Sequence, residues 1–220
     1  MQQRQVVVRK AARALARHGL VNAYGHCSAR IDDRSFLVCA PKPMGLIQPN
    51  EEGTVVQIEG PLPQDVLGEV RVHQQIYKRR QDVSGICRFL SPKLLSLSAL
   101  LRSPQVRHGF GTYFAPEPKF WRGVALLRSD EAAASVAETL GPSRGIVLRG
   151  NGAIVVGDTL EQAVTLAWYL EDMARVELDV LSSDDGTAGF YSDLEARQRA
   201  TFEGRVVERM WDYLTAGDPE

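Results

Sequence analysis

Apolar residues recur at helical spacing in several stretches of the chain. The first covers residues 6–15 and ends at His18-Gly19, where a basic residue followed by a glycine is typical of a helix C-terminus. A second covers 66–80, and a third covers 159–181 and opens on a threonine, a residue type that often caps a helix N-terminus. Weaker patterns predict further helices, which begin at Pro92 and span 131–140 and 194–214.

Short runs of β-branched and aromatic residues alternate with these helices. Segments 28–31 and 35–40 flank the polar residues 32–34 and predict a β-hairpin. Strands interleaved with helices indicate an α/β protein in which helices cover both sides of a mostly antiparallel or mixed sheet. The glycine-rich turn at 149–152 leads to no helix, so it matches neither a phosphate loop nor a dinucleotide-binding motif. Further strands are predicted at 54–59, 83–90, 145–148 and 153–157.

Composition changes this picture mainly by exclusion. The chain has 220 residues, 44% of them hydrophobic, which is enough for one domain with a sizeable core. Its 26 basic and 27 acidic residues give a formal net charge of −1. A balanced charge exerts no global attraction on nucleic acid or acidic membranes, although a local cluster can bind a small anion. We therefore expect a small anionic substrate and neither a nucleic-acid nor a membrane partner.

The cysteines and the N-terminal segment suggest a compartment. Cys27, Cys39 and Cys87 are too few and too scattered for a disulfide framework, and no two of them form a C-x-x-C pair. The N-terminus lacks an apolar run of signal-peptide length, and no stretch approaches the ~20 apolar residues that span a bilayer. We therefore expect a cytoplasmic protein.

Four segments together resemble a known family. They read GLVNAYGHCSAR at 19–30, APKP at 40–43, GEVRVH with a following tyrosine at 68–77, and LRGNGA with a following Val-Gly at 148–157. Their order and approximate spacing are similar to those of the class II aldolase/adducin family, which contains fuculose-phosphate aldolase and ribulose-phosphate epimerase. The resemblance covers most of residues 1–181.

The resemblance implies a fold and an assembly. The family fold is a class II aldolase-like three-layer α/β/α arrangement with a central, mostly antiparallel sheet of nine strands. Members commonly form homotetramers with sites at subunit boundaries. We therefore expect a class II aldolase/adducin-like domain over 1–181. Residues 182–220 would form a polar linker and a C-terminal helix that packs on the same domain or on a neighbouring subunit.

The residues that match the family's zinc ligands are different in this chain. In members that cleave sugar phosphates, an H-x-H pair and a third histidine before a glycine bind zinc. The matching positions here are Arg88, Leu90 and Asn151. Zinc needs about three protein donors with lone pairs, whereas leucine has none and guanidinium is a permanently charged donor. The sequence therefore predicts that the family metal site is lost, and no cofactor is expected.

The segments that resemble the family's phosphate pocket are altered as well. Gly25 and Ser28 are retained, but His26 stands where asparagine is usual. The family's T-P-S-G segment reads APKP here and includes Lys42, and Leu-Gly at 67–68 replaces two serines. Several neutral donors for phosphate are thus missing, which favours a substrate without phosphate.

Three residues are candidates for catalysis. Glu69 resembles the family's general acid/base, although helical carboxylates are often merely solvated. Arg88 stands where a metal would neutralise enediolate oxygens, and its aligned N–H groups could do part of that work. Alternatively, Arg88 pairs with a nearby carboxylate such as Glu69. His26 lies in the substrate-binding turn and is the third candidate.

The candidates for substrate binding lie in or near the resembling segments: Tyr24, Gly25, Ser28, Lys42, His73, Asn151 and Tyr113. Several have a simpler interpretation. His73 could be a packed, hydrogen-bonded core residue, Asn151 could occupy a left-handed turn position, and Tyr113 could pack in the core.

Three functions follow, in this order. The first is a metal-independent lyase that cleaves a C–C bond of, or decarboxylates, a small hydroxy or aromatic acid. The second is a non-catalytic adducin-like module for binding or oligomerisation, consistent with the missing zinc ligands. The third is a lyase that uses zinc or another divalent metal on replacement ligands, His26 with His73 or His108.

Overall fold

The computed structural model describes residues 1–183 and 188–220 and contains one sheet of seven strands. The strands are β1 (His26–Arg30), β2 (Ser35–Val38), β3 (Thr54–Gln57), β4 (Gly85–Phe89), β5 (Lys119–Trp121), β6 (Gly145–Leu148) and β7 (Ala153–Gly157). Their order is β3-β2-β1-β4-β7-β6-β5; β5 and β6 are parallel, and all other neighbours are antiparallel. The mostly antiparallel sheet is confirmed, with seven strands in the described residues rather than nine.

Helices lie on both faces of this sheet. They are α1 (Gln2–Arg17), α2 (Arg71–Arg79), α3 (Pro92–Ala99), α4 (Asp130–Leu140), α5 (Leu160–Ser182), α6 (Asp193–Arg199) and α7 (Val206–Leu214). Short 3-10 turns occur at Met44–Leu46, Gly68–Val70 and Gly109–Phe114. Of the helices that the structure describes, none is both long and apolar enough to cross a bilayer.

Two hydrophobic cores make the fold three-layered, as predicted. Helices α1, α3 and α5 pack on one face of the sheet, and α2 and α4 pack on the other. Side chains alternate along each strand, so Val155 of β7 faces the first core while Ile154 and Val156 face the second. Burial on both faces explains why β6 and β7 read as continuous apolar runs.

Two predicted helix ends are confirmed, the C-terminus of α1 and the N-terminus of α5. Gly19 follows the last residues of α1 with a φ of +70°, which suits a glycine. Thr159 caps α5, because its hydroxyl accepts a hydrogen bond from the backbone N–H of Gln162 at 3.1 Å.

The predicted helix at 66–80 begins later than expected. Leu67 has extended backbone angles, so no helix can run through it. A 3-10 turn over Gly68–Val70 follows, and regular α-helix starts at Arg71. Glu69 therefore lies in the tighter turn before α2.

The prediction of one C-terminal helix over 194–214 is wrong. The chain forms α6 and α7 instead, and Gly204 and Arg205 between them have left-handed φ angles of 70° and 59°. The intervening segment is held by tertiary contacts, since the Tyr113 hydroxyl donates to the Thr201 carbonyl at 2.5 Å. Residues 184–187 of the predicted polar linker lie outside the described residues.

The last residues of the chain pack on α1. Arg13 donates two hydrogen bonds to the Asp218 carboxylate, at 2.6 and 2.8 Å, and Arg9 pairs with Glu220. Paired donors on one carboxylate give a well-defined geometry. Asp218 and Glu220 thus contact α1 of the same chain.

Candidate active site

A cavity of about 440 Å³ opens at one end of the sheet, beside the start of α2. Its walls come from the start of β1, the end of β4, the turn between β6 and β7, and the 3-10 turn before α2. It brings together seven of the residues singled out from sequence: Tyr24, Gly25, His26, Lys42, Glu69, Arg88 and Asn151.

Strand register brings the two most buried polar residues of the cavity together. His26 of β1 lies directly opposite Arg88 of β4 in the antiparallel ladder. Because side chains alternate, His26 and Arg88 point toward the α2 face, while Cys27 and Cys87 point toward the α1 face. Side chains directly opposite each other in a sheet are close neighbours.

Arg88 is the central cation of the cavity. It is 2% exposed, and its Nη2 lies 3.2 Å from Glu69 Oε2 and donates to Asn151 Oδ1 at 2.8 Å. Burial lowers the pKa of Arg88, and the Glu69 carboxylate opposes this shift, so the guanidinium stays charged. Its Nε and Nη1 are buried without a hydrogen-bond partner among the described residues. The predicted pairing with Glu69 therefore exists and still leaves two donors for a ligand.

The turn between β6 and β7 presents Asn151 to Arg88. The Asn151 N–H donates to the Leu148 carbonyl at 3.0 Å and closes a tight turn. Gly150 and Gly152 have φ angles of +63° and +74°. The interpretation that Asn151 itself occupies a left-handed position is wrong, because these glycines take that conformation and leave the Asn151 amide for Arg88.

His26 lines the cavity and is the first member of a buried chain of hydrogen-bonded side chains. Its Nδ1 lies 2.9 Å from His73 Nε2, and His73 Nδ1 lies 2.6 Å from Ser28 Oγ. Ser28 Oγ is in turn 2.9 Å from the Tyr77 hydroxyl. Ser28 and His73 stand behind His26 and do not line the cavity, and the His26 Nε2 has no partner among the described residues.

Burial keeps both histidines neutral. Burial, His73 and Arg88 together lower the pKa of His26 well below its ordinary range. Burial and the Arg88 charge lower the pKa of His73 to about 3. Near neutral pH each ring therefore carries one N–H and one lone pair.

A second arginine contributes charge that the sequence did not indicate. Arg128 lines the cavity and makes no salt bridge with a described residue, whereas the predicted Lys42 is paired with Glu51 at 2.7 Å. Arg128 precedes the residue that caps α4, and its side chain passes close to Gly68. A lone arginine in a loop carries no recognisable sequence signal.

Two predicted residues lie elsewhere. Tyr113 stacks on Tyr169 with the ring centres 5.8 Å apart and packs against Phe202. It does not line the cavity, so the structure does not support its assignment to substrate binding. His108 lies 3.7 Å from Asp172 of α5 and does not approach His26. Tyr24, by contrast, sits 71% exposed at the mouth of the cavity.

The residues at the family's zinc positions do not fit the metal. Arg88 and Leu90 offer no lone pair, and the Asn151 oxygen accepts a hydrogen bond from Arg88. The proposed replacement pair does not fit either, because His26 and His73 bond to each other through facing nitrogens. Over residues 1–183 and 188–220, no group of three or more His, Cys, Asp or Glu side chains has a metal-binding arrangement.

Known proteins share this sequence pattern. Residues 6–178 match the family described as Class II Aldolase and Adducin N-terminal domain. A 3,4-dihydroxyphthalate decarboxylase from Arthrobacter keyseri is 28% identical over 193 residues, 79% of this chain and 77% of that protein. Beta-adducin from Rattus norvegicus is 26% identical over 144 residues, 64% of this chain and 20% of that protein.

Solved structures share the fold. L-fuculose 1-phosphate aldolase from Glaciozyma antarctica superposes with a TM-score of 0.80 at 18% identity, over 97% of this chain and 88% of that one. The family match spans most of the chain, and the three layers and the sheet agree with it. The chain therefore belongs to the Class II Aldolase and Adducin N-terminal domain family.

Proposed function

We propose that this protein is a lyase that decarboxylates a small aromatic acid with a hydroxyl group next to the carboxylate that leaves. The observation that carries the proposal is Arg88, a buried cation with two unpartnered donors in a cavity that also holds Glu69 and His26. The similarity to 3,4-dihydroxyphthalate decarboxylase over most of both chains supports this substrate class.

The cavity suits a planar acid with more than one negative charge. Arg88 and Arg128 are cationic, and Lys42 is already balanced by Glu51. Apolar side chains line the remaining wall and can contact a ring, among them Leu67, Leu90 and Leu126. Charge-assisted hydrogen bonds to guanidinium are among the stronger interactions available to a carboxylate or phenolate.

The reaction needs one proton at carbon and one stabilised oxygen. Glu69 takes up a proton from water and donates it to the ring carbon that bears the carboxylate, as electrons from the ionised oxygen of the neighbouring hydroxyl move into the ring. The C–C bond to the carboxylate then breaks, CO2 leaves, and the bonding pair restores the ring. The negative charge returns to the oxygen, where Arg88 stabilises it. Glu69 is reprotonated by water, so one proton is consumed per CO2 released.

Arg88 takes the position in which relatives that cleave sugar phosphates are expected to hold zinc. A fixed guanidinium in a low-dielectric cavity stabilises a developing oxyanion without reorganising. We therefore propose that the reaction does not require a divalent metal. The support is the chemistry of Arg88 and Leu90, which cannot bind one.

The alternative is a non-catalytic adducin-like module, and the similarity to beta-adducin supports it. That hypothesis predicts a cavity filled by packed side chains. The cavity here is open, and it retains buried donors that would cost free energy without a ligand. The lyase is therefore the better supported of the two functions.

The test is an assay of CO2 release and ring product with 3,4-dihydroxyphthalate. Phthalate, which lacks the hydroxyls, and 2,3-dihydroxybenzoate, which keeps the hydroxyl next to the carboxylate but lacks the second carboxylate, serve as comparison substrates. We expect turnover of 3,4-dihydroxyphthalate or of another ortho-hydroxy aromatic acid, and strong loss of it in Glu69→Gln and Arg88→Ala. Unchanged turnover in both variants would show that the mechanism is wrong.

An assembly is proposed on the family resemblance alone. We expect a homo-oligomer, a tetramer, with the cavity near a subunit boundary. Light scattering coupled to size-exclusion chromatography measures the mass directly, and a monomer at micromolar concentration would contradict this expectation.

A further inference from the structure

The contacts in the hydrogen-bonded chain behind the cavity limit which of its atoms can carry a proton. It runs from His26 through His73 and Ser28 to Tyr77, and all four residues are at most 2% exposed. The Tyr77 hydroxyl has a further contact, to the Ser28 backbone carbonyl at 3.2 Å. A carbonyl only accepts, so in that contact Tyr77 is the donor.

Two arrangements of protons satisfy the contacts between neighbouring side chains while using the Ser28 hydroxyl proton within the chain. In the first, His26 Nδ1–H donates to His73, His73 Nδ1–H donates to Ser28, and the Ser28 hydroxyl donates to Tyr77. In the second every bond is reversed, Tyr77 donates to Ser28, and His26 carries its proton on Nε2. A hydroxyl has one proton, so only the first arrangement lets Tyr77 also donate to the Ser28 carbonyl.

The charge beside His26 favours the same arrangement. Arg88 lies opposite His26 across β1 and β4, and its charge contributes to lowering the pKa of both histidines. A lone pair facing a guanidinium is stabilised, whereas an N–H facing it is repelled. Because Nδ1 is engaged with His73, the arrangement that this charge favours is the one with a lone pair on the unpartnered His26 Nε2.

We propose that His73, Ser28 and Tyr77 are positioning residues that hold His26 in the Nδ1–H tautomer, so that its Nε2 accepts the proton of a substrate hydroxyl. The substrate part of this inference rests on the proposed function. His26 Nε2 takes the proton from the hydroxyl oxygen beside the departing carboxylate, because the negative charge of the bound acid offsets the burial and the Arg88 charge that keep His26 neutral in the ligand-free protein. The transfer raises electron density in the ring as Glu69 protonates the carbon. After CO2 leaves, the oxygen takes that proton back from His26.

This role differs from that of a structural core histidine. The chain ends at a backbone carbonyl, so it orients His26 and conducts no proton to solvent. Shells of this kind fix the tautomer and direction of a histidine that acts on a ligand. The hydroxyl of Tyr77 thus influences the site although the side chains of His73 and Ser28 separate it from His26.

The test is nitrogen-15 NMR of histidine-labelled, ligand-free protein, in which correlations between ring nitrogens and carbon-bound protons report the tautomer. We expect the proton on Nδ1 in both His26 and His73. Tyr77→Phe removes the acceptor of the Ser28 hydroxyl, which then donates to His73 Nδ1 and moves the His26 proton to Nε2. Tyr169→Phe, a buried tyrosine in the other core, should leave the tautomer unchanged.

Kinetics provide a second readout with the substrate identified by the decarboxylation assay. Tyr77→Phe and Ser28→Ala should lower kcat by about tenfold to a hundredfold with little change in KM. His73→Gln, which keeps an acceptor toward His26, should retain more activity than His73→Leu. Equal losses in these two variants would argue for a merely structural role.

The outcomes separate the two proposals. If ligand-free protein has the proton on Nε2 of His26, or if Tyr77→Phe leaves the tautomer unchanged, this inference is overturned whether or not the protein releases CO2. If the tautomer is as expected and no ortho-hydroxy aromatic acid is decarboxylated, the proposed function fails and the assignment of His26 stands.

Discussion

The Arg88 guanidinium donates a hydrogen bond to the Asn151 side-chain oxygen at 2.8 Å and so ties strand β4 to the turn between β6 and β7. The same Nη2 nitrogen lies 3.2 Å from the Glu69 carboxylate. One nitrogen is thus anchored by two protein oxygens, whereas Nε and Nη1 are buried without a partner among the described residues. The orientation of Arg88, as much as its charge, is therefore expected to matter.

Arg88→Lys separates charge from orientation. Lysine keeps the positive charge but has one nitrogen and no planar fork, so it cannot anchor to Asn151 and still present two donors. We expect kcat/KM to fall about tenfold to two-hundredfold, in keeping with the loss of charge-assisted hydrogen bonds. Arg34→Lys, at the exposed β1–β2 turn, is the control. Full activity in Arg88→Lys would mean that charge alone suffices.

The two glycines beside Asn151 should differ in their tolerance of a methyl group. Both have positive φ angles, but a Cβ at Gly150 would contact nothing within 4 Å, whereas one at Gly152 would lie 2.0 Å from the Phe89 carbonyl. We expect Gly150→Ala to cost about 1 kcal/mol in the free energy of unfolding. Gly152→Ala should cost clearly more, because backbone must move. Denaturant unfolding of both variants measures this, and equal costs would contradict the close approach.

The two cations at the mouth of the cavity should contribute unequally. Lys42 is partly exposed and paired with Glu51, so Lys42→Ala should change KM by less than about fivefold. Arg128 has no carboxylate partner among the described residues, and Arg128→Ala should raise KM about tenfold or more for a dianionic acid. The reverse ranking would place the second anion site at Lys42.

Acid should destabilise the fold through its two buried histidines. His73 has a pKa of about 3 when folded against an ordinary 6.5, so between these values the unfolded chain binds more protons. Stability is therefore complete above pH 6.5 and decreases as the pH falls toward 3, by up to about 1.4 kcal/mol per pH unit for this one group.

His73→Gln tests that pH dependence, because glutamine does not titrate. We expect a shallower loss of unfolding free energy between pH 6.5 and pH 4 than in the parent protein. His18→Gln, a partly exposed residue after α1, is the matched control. A parent protein whose stability is flat across this range would contradict the assignment of a neutral, buried His73.

Chelators should leave the reaction unaffected if Arg88 replaces the metal. We expect protein purified without added metal to hold far less than one equivalent of zinc, manganese or iron, and to retain its decarboxylation rate after dialysis against EDTA. Elemental analysis on the same sample measures the content. Near-stoichiometric metal that is required for turnover would instead support a metal-dependent lyase.

Much of the fold was predictable because burial leaves a strong local pattern. The expected strands at 145–148 and 153–157 agree with β6 and β7 at every residue, since both faces of these strands are buried and glycines end them. The break between α6 and α7 could not be predicted, because it depends on a contact with the distant Tyr113 and on left-handed backbone at Gly204 and Arg205.

The site was predictable only as far as motif positions reached. Glu69, Arg88, His26 and Asn151 occupy positions that resemble the family's, and all four line the cavity. Arg128 was missed because it lies in a loop that is far in sequence from the segments that resemble the family. The partners of His73 were missed for a similar reason, since they arise only when α2 packs on β1.

His26 and Arg88 point toward the α2 face of the sheet, whereas three cysteine thiols lie on the opposite face. Cys27, Cys39 and Cys87 are all buried in the core under α1 and α5. Thiol-directed reagents therefore cannot reach them without opening that core. Their labelling rate measures unfolding of the sheet, and inactivation by such a reagent would report loss of the fold rather than modification of the chemistry on the opposite face.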